Sequence, residues 1–114
     1  GNMWISLVSS AGNFFRAGEE WTTDLIATVY NAEMQLRESE IGLASITWLR
    51  ESNDKDGDMA WNLTHPTGSV GLTLTVSSTT DLPSTWQSGS KVGFRVIVTF
   101  PDGAQYAAQY SISN

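Results

Sequence analysis

The strongest constraint in this chain is a period of two. Residues 71–77 (GLTLTVS) set Leu72, Leu74 and Val76 against Thr73, Thr75 and Ser77. Successive side chains in a strand point to opposite faces, so one face of this segment is apolar and the other hydroxylic. Residues 91–100 (KVGFRVIVTF) repeat the pattern with Phe94, Val96, Val98 and Phe100 together. Residues 104–112 do so again with Tyr106, Ala108, Tyr110 and Ile112, and Pro101-Asp102-Gly103 between the two is a tight hairpin signal. Alternation of this kind is stabilised by a half-buried antiparallel strand, one face on a core and one in water.

The same pattern recurs toward the N-terminus. Residues 4–9 (WISLVS) place Ile5 and Leu7 on one face. A break follows at Ala11-Gly12-Asn13, then Phe14-Phe15, which reads as a first strand that kinks and resumes. Residues 22–30 put Leu25, Ala27 and Val29 together and Asp24, Thr28 and Tyr30 opposite, with Ile26 as the exception. Residues 31–40 read as a hairpin connection with room for a short edge strand. Residues 44–50 (ASITWLR) form the next strand, with Ile46 and Trp48 inward. Residues 51–58 are a polar loop rich in turn-forming Asp, Asn and Gly. Met59-Ala60-Trp61-Asn62-Leu63 returns the chain to apolar ground, and residues 78–90 are a long loop around Pro83 and Gly89.

These segments amount to about seven short strands with turns every 8–12 residues, the signature of an antiparallel sandwich. No alternation of strands with helices is visible, which excludes a parallel α/β sheet. Composition agrees. Charged residues make up only 16% of the chain, and 14 Ser with 12 Thr take their place on the surface. That mix suits strands better than the Glu/Lys-rich surface of a helical bundle. The 114 residues fit one domain, read as spanning 3–114, with Gly1-Asn2 taken as a cloning scar ahead of Met3. The strand pattern runs to Ser113-Asn114, as in a domain cut from a modular parent.

Charge and cysteine count narrow the function classes. A net charge of −6 argues against a nucleic-acid partner, which calls for a basic stripe. No apolar run approaches the ~20 residues of a membrane helix, so membrane insertion is not expected. With no cysteine there is no disulfide, no thiolate metal site and no cysteine nucleophile.

The Leu25–Val29 strand, the Ile46-Thr47-Trp48-Leu49-Arg50 strand and the segment Gly57-Asp58-Met59-Ala60-Trp61-Asn62 resemble the immunoglobulin-like modules of tailed-bacteriophage minor structural proteins, those of tails, fibres or head decorations. The resemblance implies an all-β, immunoglobulin-like antiparallel β-sandwich without a disulfide. In antibody-type domains a cysteine pair flanks the strand-C Trp. Its absence here leaves Trp48 to pack against apolar neighbours such as Ala27 and Val96.

Candidate chemistry is sparse. His65 is the only histidine, and a Ser-His-Asp site would need partners within hydrogen-bond reach of it. No Gly-x-Ser-x-Gly elbow occurs, and a plain loop histidine beside Pro66 is the preferred reading. Asp54-x-Asp56-Gly57-Asp58 has the oxygen-rich look of a calcium loop. With Gly57 at the sixth position the twelfth falls on Leu63 rather than Glu, so a solvated turn is preferred. Glu19/Glu20 and Glu38/Glu40 could pair for glycoside hydrolysis, but neighbours on a strand face opposite ways and surface solubility explains them better. Asn62-Leu63-Thr64 matches a glycosylation sequon, without meaning in a bacterial or viral setting. No catalytic, cofactor-binding or metal-binding residue is therefore assigned, and no enzyme activity is expected.

Aromatic residues are the best binding signal. Of five Trp, Trp48 and Trp61 read as core, while Trp4, Trp21 and Trp86 sit at strand ends or in a loop. Covering the open ends of the sandwich is the preferred role for those three. The expected function is a non-enzymatic spacer, decoration or weak adhesion module in a virion or at an extracellular or cell surface. Its partners would be neighbouring domains or subunits of a larger assembly, with a host-surface glycan as a further partner. The alternative is a carbohydrate-binding module attached to a secreted glycosidase, which would show two or three coplanar exposed aromatics.

Overall fold

A computed structural model describes residues 2–16 and 18–114. Among these residues, seven strands form two antiparallel sheets. They are β1 (Met3–Ser9), β2 (Thr22–Asn31), β3 (Met34–Leu36), β4 (Ile46–Glu51), β5 (Thr73–Ser77), β6 (Lys91–Thr99) and β7 (Gln105–Ser113). The first sheet is built on β2, with β1 along one edge and both β3 and β5 along the other. The second has the order β4-β6-β7. With β1, β2 and β5 as strands A, B and E, and β4, β6 and β7 as C, F and G, this is the immunoglobulin-type arrangement.

The period-two reading holds strand by strand. Leu25, Ala27 and Val29 of β2 are buried, as are Leu74 and Val76 of β5. They meet Ile46 and Trp48 of β4, Val92, Phe94, Val96 and Val98 of β6, and Ile112 of β7. Trp48 lies opposite Val96 in the β4–β6 register. Its indole Nε1 also donates to the Gly71 carbonyl at 2.8 Å, so its neighbours are not apolar alone. Ile26, the exception in the β2 alternation, sits on the outer face and is exposed. The β6–β7 hairpin turns at Pro101-Asp102-Gly103, where Gly103 takes φ +88°, a left-handed conformation open to glycine without strain.

The kinked first strand is a change of sheet. β1 pairs with β2 over its whole length, and past the break Phe14 pairs in parallel with Ser113 of β7. The Ser9 and Thr23 hydroxyls bond to each other at 2.6 Å, and Thr23 Oγ1 accepts the Ala11 N–H at 3.0 Å. The second of these satisfies a backbone N–H where the ladder is interrupted.

Two segments differ from the sequence reading. Residues 59–63 bury only Trp61 rather than returning the chain to apolar ground, and the polar loop does not run through 58. A ten-residue helix, α2 (Lys55–Thr64), occupies both. The apolar period misses it because the helix buries only Asp58 and Trp61. Residues 31–40 contain the short edge strand β3 and then a single helical turn, α1 (Glu38–Ile41). Helix α2 stands in the β4–β5 connection, where immunoglobulin folds carry a fourth strand. It covers the free edge of β4, whose Arg50 N–H donates to Asn62 Oδ1 at 2.9 Å, while the Gly68 N–H donates to the Ile46 carbonyl at 3.0 Å. Covered edges cannot recruit a stray strand.

The strand directions fix two poles. Met3 pairs with Asn31 and lies beside the β6–β7 turn, whereas Ser113 pairs with Lys91 at the far end of β6. The chain therefore enters β1 at one pole and leaves β7 at the other. The long axis of the molecule is 42 Å, against 26 and 19 Å across.

Candidate functional site

Polar chemistry concentrates at the pole where β4 ends. Alternation along β4 carries Ile46 and Trp48 inward and then, two residues on, Arg50, whose side chain is only 4% exposed. A buried guanidinium needs several acceptors. Arg50 Nε donates to Asp58 Oδ1 at 2.7 Å, Nη1 donates to the Asp81 carbonyl at 3.2 Å, and Nη2 lies 3.5 Å from Asp54 Oδ2. Helix α2 delivers both aspartates, Asp54 as its N-cap and Asp58 one turn later.

Each carboxylate is saturated. Asp58 also accepts the Ser52 N–H at 2.7 Å and the Ser52 hydroxyl at 2.8 Å. Asp54 accepts the Gly57 N–H at 3.1 Å, which caps the helix, and the Ser84 N–H and hydroxyl at 2.9 and 3.0 Å. The backbone N–H groups of Ser84 and Gly57, with the Ser84 hydroxyl and the Arg50 charge, hold the Asp54 carboxyl below the usual carboxylate range. Asp81 accepts the Trp61 indole N–H at 3.0 Å and the Ser77 N–H at 2.7 Å. No buried side-chain nitrogen or oxygen among the described residues lacks a partner.

The Asp-rich segment is thus a helix N-cap and a buried ion pair rather than a solvated turn. Among the described residues, no three His, Asp or Glu side chains are placed to hold a metal ion. His65 closes the C-terminal end of α2. Its ring stacks on Trp61 with centroids 3.7 Å apart, and Nδ1 lies 2.7 Å from the Trp61 carbonyl. Asn62, the sequon residue, has its side-chain oxygen bound to the edge of β4.

The other acidic pairs lie apart from this cluster. Glu38 accepts the Leu72 N–H at 2.8 Å, tying α1 to the segment before β5. The Arg37 side chain donates to Glu40 at 2.8 Å and lowers that carboxyl below its ordinary value.

The five tryptophans divide as their positions suggest. Trp48 and Trp61 are buried. Trp21 stacks on Phe15 with centroids 4.0 Å apart, and Trp21 and Trp86 share a small cavity with Leu82 at the same pole as Arg50. Both are half-buried and pack on the rim of the core. Trp4 is exposed, stacks on Tyr30 at 4.2 Å and donates its Nε1–H to the Ala32 carbonyl at 3.1 Å. Trp4 and Trp21 each have one ring face taken by another ring.

The sequence reading passed over Arg50, although alternation from the inward Ile46 and Trp48 puts it on the same inward face, where a charge demands a partner. Asp81 gave no local signal, because it lies 31 residues away. No family model matches the chain, and neither a curated protein nor a solved structure matches it.

Proposed function

We propose that this chain is a non-enzymatic immunoglobulin-like module of a larger phage-virion or bacterial-surface protein, acting as a spacer or decoration or as a weak host-surface adhesion domain. The observation that carries the reading is the pole-to-pole path of the chain. A body 42 Å long, entered at Met3 and left at Ser113, can be strung in series with other units without reversing direction. The polar groups support the same reading. Arg50, Asp54, Asp58 and Asp81 are engaged in joining helix α2 and the 78–90 loop to the sheets, and His65 closes the helix on Trp61. These bonds make the pole rigid, and rigidity is what a spacer requires.

Immunogold labelling tests the proposal, using an antibody raised against this chain on purified phage particles and on intact cells of the source. Label on the surface of either is expected. Label confined to the cell interior would refute it, as would turnover of a glycoside or ester by the purified chain.

A further inference from the structure

The chain has two lysines, Lys55 and Lys91, and both line one cavity of about 570 Å³ on the outer face of the β4-β6-β7 sheet. They come from distant points. Lys55 opens helix α2 and Lys91 opens β6. Among the described residues neither lies within ion-pair distance of an acid. The one acidic side chain in the lining is Glu51, which stands opposite Gly93 in the ladder. The lining thus carries two ammonium groups against one carboxylate on a chain whose net charge is −6, and Asp54, held by Ser84 beside the wall, is already paired with Arg50. At ordinary ionic strength charges more than about 8 Å away are largely screened, so the local sign governs what binds.

The floor is also unusual. Gly93 lies inside the central strand of its sheet and is buried. Glycine weakens a strand interior and marks a place where another group approaches the backbone closely. Here that group is the Gln109 side chain, since a Cβ at Gly93 would come within 2.6 Å of Gln109 Nε2. On the wall, Asn53 Oδ1 accepts the Thr85 hydroxyl at 2.6 Å, which orients the amide and leaves its N–H groups to donate elsewhere. Hydroxyls of the 85–90 loop complete the rim, and no aromatic ring lines the cavity.

A volume of this size suits a small-molecule site. A lining of amides and hydroxyls selects a polyhydroxylated ligand, and the lysines select a negative one. We propose that the cavity binds a carboxylate-bearing sugar, with Lys55 and Lys91 taking the carboxylate and the Asn53 and Gln109 amides taking hydroxyls. This deepens the adhesion part of the reading above and rests on it, although the site itself is tested on the isolated chain.

The test is a two-dimensional amide NMR titration with sodium glucuronate and with N-acetylneuraminate. Methyl glucoside serves as the uncharged control and inorganic phosphate as the plain anion. Shifts confined to Gly93, Gln109, Asn53 and the 85–90 loop are expected with the acidic sugars. Lys91→Gln and Lys55→Gln should each weaken binding by about tenfold, the value of one charge-assisted hydrogen bond. Both variants should keep the wild-type amide spectrum elsewhere, because among the described residues neither lysine side chain bonds within the fold. As a second variant, Gly93→Ala should displace the Gln109 amide and weaken glucuronate binding with both lysines still in place. Absence of shifts at tens of millimolar acidic sugar would overturn the site. So would equal shifts with phosphate, or binding that survives both lysine substitutions. Failure here with surface label retained would leave the module and remove the sugar; loss of surface label with binding retained would do the reverse.

Discussion

Replacing Arg50 with Met removes the one cation that holds α2, β4 and the 78–84 segment together. The aliphatic stem of Met occupies much of the same space, so the loss is electrostatic rather than a large cavity. The substitution removes the 2.7 Å bond to Asp58 and the 3.2 Å bond to the Asp81 carbonyl, and it removes the charge 3.5 Å from Asp54. Asp58, with a side chain only 8% exposed, keeps its two bonds from Ser52 but loses its counter-charge. Removing one partner of a buried pair costs about 3–5 kcal/mol. The low end fits here, about 3 kcal/mol, because Ser52 continues to solvate the carboxylate. For a domain of this size that is a fall in Tm of roughly 12 °C, at about 4 °C per kcal/mol. Urea unfolding followed by Trp fluorescence measures it, on Arg50→Met, Asp58→Asn and the double variant. The double variant should lose less than the sum of the two single losses, since the second substitution removes the charge that the first strands. A loss below about 1 kcal/mol for Arg50→Met, or strict additivity, would refute the assignment of this pair as the joint of the pole.

Three further outcomes are expected. Trp48→Phe should cost about 2 kcal/mol by chemical denaturation, from lost buried volume and an unpaired Gly71 carbonyl. On the two faces of β2, Leu25→Ala should cost about 2–5 kcal/mol while Ile26→Lys stays within about 0.5 kcal/mol; similar losses at both would mean the register is displaced by one residue. The third concerns pH. Asp54 is held below the usual carboxylate range, so its contribution is present above its unfolded value of about 3.9 and is lost as the pH falls through the lower folded value. The urea midpoint should therefore drop on acidification below about pH 4, and Asp54→Asn should flatten that drop.

The strands were legible because alternation is local. In the 71–77 and 91–100 segments every second side chain declares its face within a few residues. Helix α2 was illegible for the opposite reason. Its interior carries Gly57, its exposed face carries Met59 and Leu63, and its inward side is Asp58 and Trp61. A helix held by a salt bridge and one indole has no apolar stripe to display. The available signal lay on the other partner: an Arg two residues after an inward Trp on a strand must itself point inward. The Lys55–Lys91 cavity had no sequence signal, because it arises when the 78–90 loop folds beside the start of α2. Trp86, read as covering an open end of the sandwich, packs on the core margin beside Trp21.

The polar path of the chain has a mechanical consequence. Tension applied between Met3 and Ser113 runs along the strands, not across them. The β1–β2 ladder, in register from Met3↔Asn31 to Ser9↔Leu25, is then loaded in shear. Its bonds must fail together rather than peel away one at a time. The Phe15 N–H to Ser113 carbonyl bond and the Ser113 N–H to Asn13 carbonyl bond add a second, parallel seam under the same load. A body built this way resists stretching along its long axis far better than pulling across its strands.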